Sequence, residues 1–405
     1  MRNIEVFNDY DMVVSVTQRA INDQLTQLAK LNVIPSQLIV AREVVDGKFV
    51  YTQLETSDQI PHDDKGIPTV ECIAGPIKPQ ISIAESGTNV SFLINFLSGK
   101  AYFRDLDDPT FGLKEFDMTG WVYAVNITLD LKAVEMDDIN KKIKVPDNIK
   151  NQLHDFMSND FTVSHLFLDF NSVNLVRFDP LKTRTTGLCD PGQDLFIEFM
   201  VRYLNFLINN NNPYILGYSV TAGQNTRVPP DQNVPDSIKP VGTTFTMYHD
   251  PSHPDLSNLN FVLATKAGHG RISGSPGNFD TNWITPQEQC DAKMIYSHSV
   301  LLEKFVLEPV FNQISNGVYQ QIRNSVDVAP GNSYQAARSA SGNGYNFSIA
   351  NENSEDNRYV NNFSVVVQNS SNQIALNFKG NLFVYKEKDT DLGLCRATAS
   401  ASTRG

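Results

Sequence analysis

The chain has 405 residues, 41% of them hydrophobic and 19% charged, and a formal net charge of −12. Such a length supports a sizeable buried core, and the acidic balance sets the field of the whole molecule against polyphosphate, so no nucleic-acid partner is expected. No window approaches the roughly 20 consecutive apolar residues of a membrane helix, and the opening MRNIEVFNDYDMVVSV lacks the basic region and apolar run of a secretory signal. The reading is a soluble chain, cytoplasmic at synthesis, whose release would need a non-classical route.

In chain order, Asp11–Thr17 reads as a short strand leading straight into a helix over 17–31. Ile21, Leu25 and Leu28 recur at helical spacing and Leu31 extends the stripe, while Gln18, Asp23, Gln27 and Lys30 are expected to face away. Thr17 is the expected cap and Pro35 closes the region behind. Strands are predicted over 37–43, 47–54, 78–85 and 99–104. Two more follow from strict alternation: Val90, Phe92, Ile94 and Phe96, then Val125, Ile127, Leu129 and Leu131. A helix over 147–158, a strand over 164–170 and a helix over 193–208 come next.

The run Asn209-Asn210-Asn211-Asn212-Pro213 cannot bury surface and stops the helix before it, so the division into units 1–212 and 213–405 is placed there. Beyond it strands are predicted over 214–220, 243–248 and 259–265. Ala292–Ser299 then repeats the strand-into-helix pattern of Asp11–Thr17. The helix it leads into spans 299–323, with Ser299 as cap and a kink at Pro309; its apolar face comprises Leu302, Phe305, Val306, Val310, Ile314, Val318 and Ile322. Loops are expected over 222–240 and 329–357, and strands over 363–368, 373–379 and 381–386, the last two joined by a turn at Lys379-Gly380-Asn381. The fold class is therefore α+β, with antiparallel sheet as its body.

Chemistry is sparse. His249, Asp250, His253 and Asp255 could surround a divalent ion, but Pro251 and Pro254 favour a polar turn, and His62-Asp63-Asp64-Lys65 is a weaker case of the same kind. Gly268–Gly277 lacks the GK[ST] ending of a phosphate loop. Lys141, Lys142, Lys144 and Lys150 form a basic cluster, flanked by Asp137, Asp138 and Asp147, that reads as solvated surface and could touch an anionic head group at a membrane periphery. Cys72, Cys189, Cys290 and Cys395 fit neither a metal knuckle nor a redox pair and are expected as buried thiols. No nucleophile elbow, zinc-protease helix or dinucleotide fingerprint occurs. The expectation is a protein that is not an enzyme and needs no cofactor and no metal.

Certain stretches do resemble a known family. Val13-Val14-Ser15-Val16-Thr17-Gln18-Arg19-Ala20-Ile21-Asn22 is similar to the opening of a tubular lipid-binding (TULIP) domain, where a strand ends in a Ser/Thr-Gln pair and a long helix begins. Met294–Phe305 resembles the opening of the second such domain in bactericidal/permeability-increasing-type proteins. Tyr10-Asp11 and Leu166-Phe167-Leu168-Asp169-Phe170 bring the likeness to the bacterial branch, the OrfX and forty-seven-kilodalton proteins encoded beside botulinum-type toxin genes. The resemblance implies an elongated superroll, a curved antiparallel sheet wrapped around long helices with an apolar channel, and so a lipid or other apolar ligand. Ile21, Leu25, Leu28, Leu302, Phe305 and Val306 are the candidate channel lining. The competing reading is an interaction component of a toxin complex, with a solid core and a protein partner.

Overall fold

The computed structural model describes residues 10–83, 89–104, 112–135, 147–158, 161–170, 178–210, 214–222, 235–266, 268, 279, 282–297, 299–309, 312–313, 334–341, 344–351, 361–368, 373–390 and 393–404. The chain divides into two compact units, Met1–Leu301 and Leu302–Gly405. The first contains β1 (Met12–Thr17), α1 (Gln18–Lys30), β2 (Gln37–Val45), β3 (Lys48–Gln53), β4 (Glu71–Ile83), β5 (Asn89–Phe96), β6 (Lys100–Arg104), β7 (Leu113–Asp117) and β8 (Val122–Ala133). It continues with α2 (Asp147–Ser158), β9 (Phe161–Asp169), α3 (Asp190–Asn209), β10 (Ile215–Ala222), β11 (Pro240–Tyr248), β12 (Asn258–Thr265) and β13 (Ala292–Tyr296). After a π-helical stretch, Ser299–Leu307, come β14 (Tyr334–Ser341), β15 (Gly344–Asn351), β16 (Asn361–Gln368), β17 (Gln373–Thr390) and β18 (Gly393–Arg404).

The architecture is mixed α+β with large antiparallel sheets. In the first unit a nine-stranded sheet runs β10-β9-β8-β5-β4-β2-β3, with β6 branching from β4 and β7 from β6, and a second sheet runs β11-β12-β1-β13. In the second unit β14 to β18 pair in chain order as a meander. The asparagine run at 209–213 lies within the first unit, and β9 and β10 on either side of it are sheet neighbours. The two strands that open the repeated strand-into-helix pattern, β1 and β13, pair antiparallel, Met12 opposite Tyr296 and Val16 opposite Ala292.

Alternation drives the core. Val90, Phe92, Ile94 and Phe96 on β5, with Val125, Ile127 and Leu129 on β8, turn one face of the large sheet inward. Against that face pack Ile21 and Leu25 of α1 and a broad stripe of α3: Phe196, Phe199, Met200, Tyr203, Leu204 and Leu207. Gly99, at φ +126°, sits where β5 turns into β6, and a side chain there would strike the Ala74 carbonyl and Gly75.

Helix α1 begins as expected: the Thr17 side chain accepts a hydrogen bond from the Ala20 N–H at 3.2 Å. Two expectations on its faces are corrected. Leu31 is 64% exposed and does not extend the stripe, whereas Gln18 is buried at 7% exposure. The reason is tertiary. Among the described residues β4 has β5 as its one strand neighbour past Pro76; on its other edge the Ile77 N–H donates to the Ser36 carbonyl at 2.9 Å, and α1 supplies side chains to the edge beyond. Asn22 Nδ2 donates to the Ile81 carbonyl at 3.0 Å and Asn22 Oδ1 accepts from the Ile81 N–H at 2.8 Å. Gln18 Oε1 accepts from the Ile83 N–H at 2.7 Å, and His249 Nδ1 lies 3.0 Å from the Ile83 carbonyl oxygen. Replacing Asn22 by alanine strands both groups of Ile81 and should cost about 1–3 kcal/mol. Both tryptophans, Trp121 and Trp283, belong to the first unit, so their fluorescence in a denaturant titration reads this change without a contribution from the second.

Other differences from the sequence reading are local. Helix α3 starts at Asp190, three residues earlier than expected, because Pro191 suits a first turn in which its missing N–H goes unused. The 299–323 helix is π-helical over Ser299–Leu307, where apolar residues stand all round and burial selects no 3.6-residue stripe. Val310, Ile314, Val318 and Ile322 lie outside the described residues, as do most of the 222–240 and Gly268–Gly277 loops and the 141–144 lysines. The expected loop over 329–357 contains β14 and β15. No turn forms at Lys379-Gly380-Asn381: β17 runs unbroken there, and this is the point where its partner changes from β16 to β18. Cys72 is buried, and burial pushes its thiol up to about 12, but Cys189 is exposed and Cys290 half-buried.

Candidate binding groove

The hairpin of β2 and β3 carries exposed apolar side chains beside a concavity. Its turn is Asp46-Gly47, both at positive φ, 50° and 74°, the two-residue geometry that matches strand twist. The register sets Arg42 opposite Tyr51 and Val44 opposite Phe49, so these four share one face. Val44, Val45 and Val50 are exposed, and Phe49 is 60% exposed.

Helix α3 stands beside that face. Its apolar stripe is buried, which leaves Arg202, Asn205 and Asn209 turned outward, and these with Phe206 and Ile208 form one wall of a groove of about 480 Å³; Phe49 and Tyr51 of β3 form the other. Beneath lies Arg42. Its guanidinium sits 4.1 Å from the Phe49 ring centroid and 5.8 Å from that of Tyr51, while Arg202 lies 5.2 Å from the same Tyr51 ring. The Tyr51 ring meets Phe199 edge-on at 5.2 Å, which ties the strand to the core.

The charges are paired. Arg42 Nε donates to Glu71 Oε2 at 2.7 Å, Nη2 donates to the same oxygen, and Nη1 donates to the Tyr51 hydroxyl at 3.2 Å. Glu198 lies 3.8 Å from Arg42 and 3.9 Å from Arg202. Two cations thus face two carboxylates. Burial pushes the Tyr51 phenol up to about 12 against the opposing pull of the Arg42 hydrogen bond, so it serves as a neutral donor and a ring face. The groove thus presents amides, ring faces and held guanidinium groups.

A second groove, of about 380 Å³, is lined by Arg19, His253, Pro254, Asp255, Leu256, Pro286, Glu288 and Gln289. It includes half of the candidate metal-binding motif. Asp250 is occupied as a turn former, its Oδ1 accepting the N–H groups of Ser252 at 3.0 Å and His253 at 2.9 Å, and His249 is directed to Ile83. Among the described residues no three His, Cys, Asp or Glu side chains are grouped to hold a metal ion. His62-Asp63-Asp64-Lys65 is likewise a turn, Asp63 Oδ1 accepting the N–H groups of Lys65 and Ile67.

The candidate channel residues fall in two places. Ile21 and Leu25 are buried and Leu28 half-buried, together on the α1 face that joins the core of the first unit. On the π-helical stretch Leu302 is buried, Val306 half-buried and Phe305 exposed. Neither groove is lined by any of the six. The groove residues went unnoticed in the sequence, although Asp46-Gly47 between β formers is a strong short-range hairpin signal. Among the described residues no helix is long and apolar enough to cross a membrane. No family model matches the chain, and no curated protein matches it.

Proposed function

We propose that the protein is a non-enzymatic interaction protein that docks a polypeptide partner in the groove between β3 and α3. The observation that carries this reading is the hairpin: Phe49 is 60% exposed where it lines a concavity whose other wall combines Arg202, Asn205 and Asn209 with Phe206 and Ile208, and exposed Val44 stands opposite it on the same face. Apolar surface gathered at a groove marks an interaction site more than scattered surface leucines do. Tight aromatic packing of α3 on the sheet supports a solid core behind it.

A second reading, the tubular lipid-binding superroll with an acyl ligand, is favoured by the sharing of one core between the apolar faces of α1 and α3 and the large sheet. Each buried methylene would contribute about 0.8 kcal/mol. Native mass spectrometry of the purified chain separates the two. Docking at the groove predicts the mass of the bare polypeptide, both for the chain and for Leu25→Trp. A co-purifying lipid that Leu25→Trp displaces would sink the docking reading in favour of the acyl site.

A further inference from the structure

Strand β3 ends its sheet, and its outward edge can be assigned residue by residue. The Asp46-Gly47 turn makes Val45 and Lys48 a hydrogen-bonded pair, and the Leu54 N–H donates to the Ile39 carbonyl at 3.0 Å. Pairs alternate along an antiparallel ladder, so Ala41/Thr52 and Glu43/Val50 are hydrogen-bonded too. Phe49, Tyr51 and Gln53 therefore direct both main-chain groups away from β2, and among the described residues β2 is the one strand beside β3. Natural sheets guard such edges with proline, bulges or inward charges. Phe49-Val50-Tyr51-Thr52 has no proline, its register with β2 has no shift, and two of the edge residues, Phe49 and Tyr51, also line the groove.

We propose that an extended acidic segment of another polypeptide adds to β3 as a further strand, its main chain on the Phe49–Gln53 edge and a carboxylate side chain on Arg202. Strand addition takes affinity from main-chain hydrogen bonds and specificity from alternate side chains, and here those side chains would fall against α3. Arg202 is 51% exposed and its ion pair with Glu198 is long, at 3.9 Å, so a carboxylate brought by the partner can bind it closely. The net charge of −12 opposes a second copy and an acidic segment alike, so the choice between them falls to the local contact with Arg202. The proposal rests on the groove being the docking face.

The test selects short linear peptides by phage display against the full-length chain, then remakes an enriched peptide with N-methyl groups at alternate residues in each of the two phases. One phase should weaken binding at least about tenfold and the other leave it near the parent, because alternate N–H groups face the sheet. Phe49→Pro should abolish binding without unfolding the hairpin, since the N–H it removes is not part of the β2–β3 ladder, and Arg202→Glu should weaken acidic peptides selectively. Failure to enrich any acidic sequence overturns the proposal, as does a dimer of the chain alone that Phe49→Pro dissociates. If binding is lost in Arg202→Glu yet ignores the N-methyl phase, strand addition is refuted while docking at the groove stands.

Discussion

Phe196→Ala is expected to cost the first unit about 3–5 kcal/mol, the range for deleting a large buried ring. The side chain is fully buried, and its ring lies 5.2 Å from Trp121, 5.9 Å from Phe96 and 6.2 Å from Tyr123, the first and third pairs edge-on. Those neighbours sit on β5, on β8 and just before β8, within a hydrogen-bonded sheet that cannot close over the void, so the loss of contacts adds to the loss of transfer energy. Because Trp121 touches Phe196, tryptophan emission reports the change at its source. Phe206→Ala, at a half-buried position on the groove, should cost distinctly less. Equal effects from the two would mean that α3 is not anchored through its Phe196 face.

The contrast between those two phenylalanines shows which parts of the structure could be read from the chain. Burial against a sheet imposes period two on a strand and a stripe on a helix, so Val90–Phe96, Val125–Leu131 and Ile21/Leu25 declare themselves locally. Gln18 does not. Its burial depends on an unpaired strand edge sixty-five residues away, at Ile83. The groove is hidden for the same reason: Phe49 and Arg202 are joined only by the register of β2 with β3 and by the packing of α3, and exposed β formers look in sequence like buried ones. Ending one strand at 43 and starting the next at 47 also splits the turn from the valines before it. A helical stripe, finally, looks alike whether it is buried by a sheet or by an acyl chain, which is why Ile21, Leu25 and Leu28 could be identified as an inward face without being identified as a site.

Glu71→Gln should destabilise the first unit by about 3–5 kcal/mol, the cost of leaving one member of a buried ion pair uncompensated. The side chains of Arg42 and Glu71 are 11% and 4% exposed. Burial works against the Arg42 charge, but the hydrogen bonds to Glu71 and Tyr51 outweigh it and hold the guanidinium above its ordinary value. Glu71 also accepts the Arg104 N–H at 3.1 Å through its second oxygen, so the carboxylate joins β4, β2 and β6. With the charge removed, Arg42 keeps Glu198 at 3.8 Å, a group nearly half exposed and therefore weakly able to stabilise it. Replacing both residues by methionine removes the uncompensated cation and should recover much of the loss, since apolar substitutes for buried pairs are often neutral. A double-mutant cycle by denaturant titration, with Arg42→Met and Glu71→Met as the single variants, measures the coupling directly. Additive losses would show that the two side chains stabilise the hairpin independently, and would remove the ion pair as the reason Phe49 and Tyr51 are held in place beside α3.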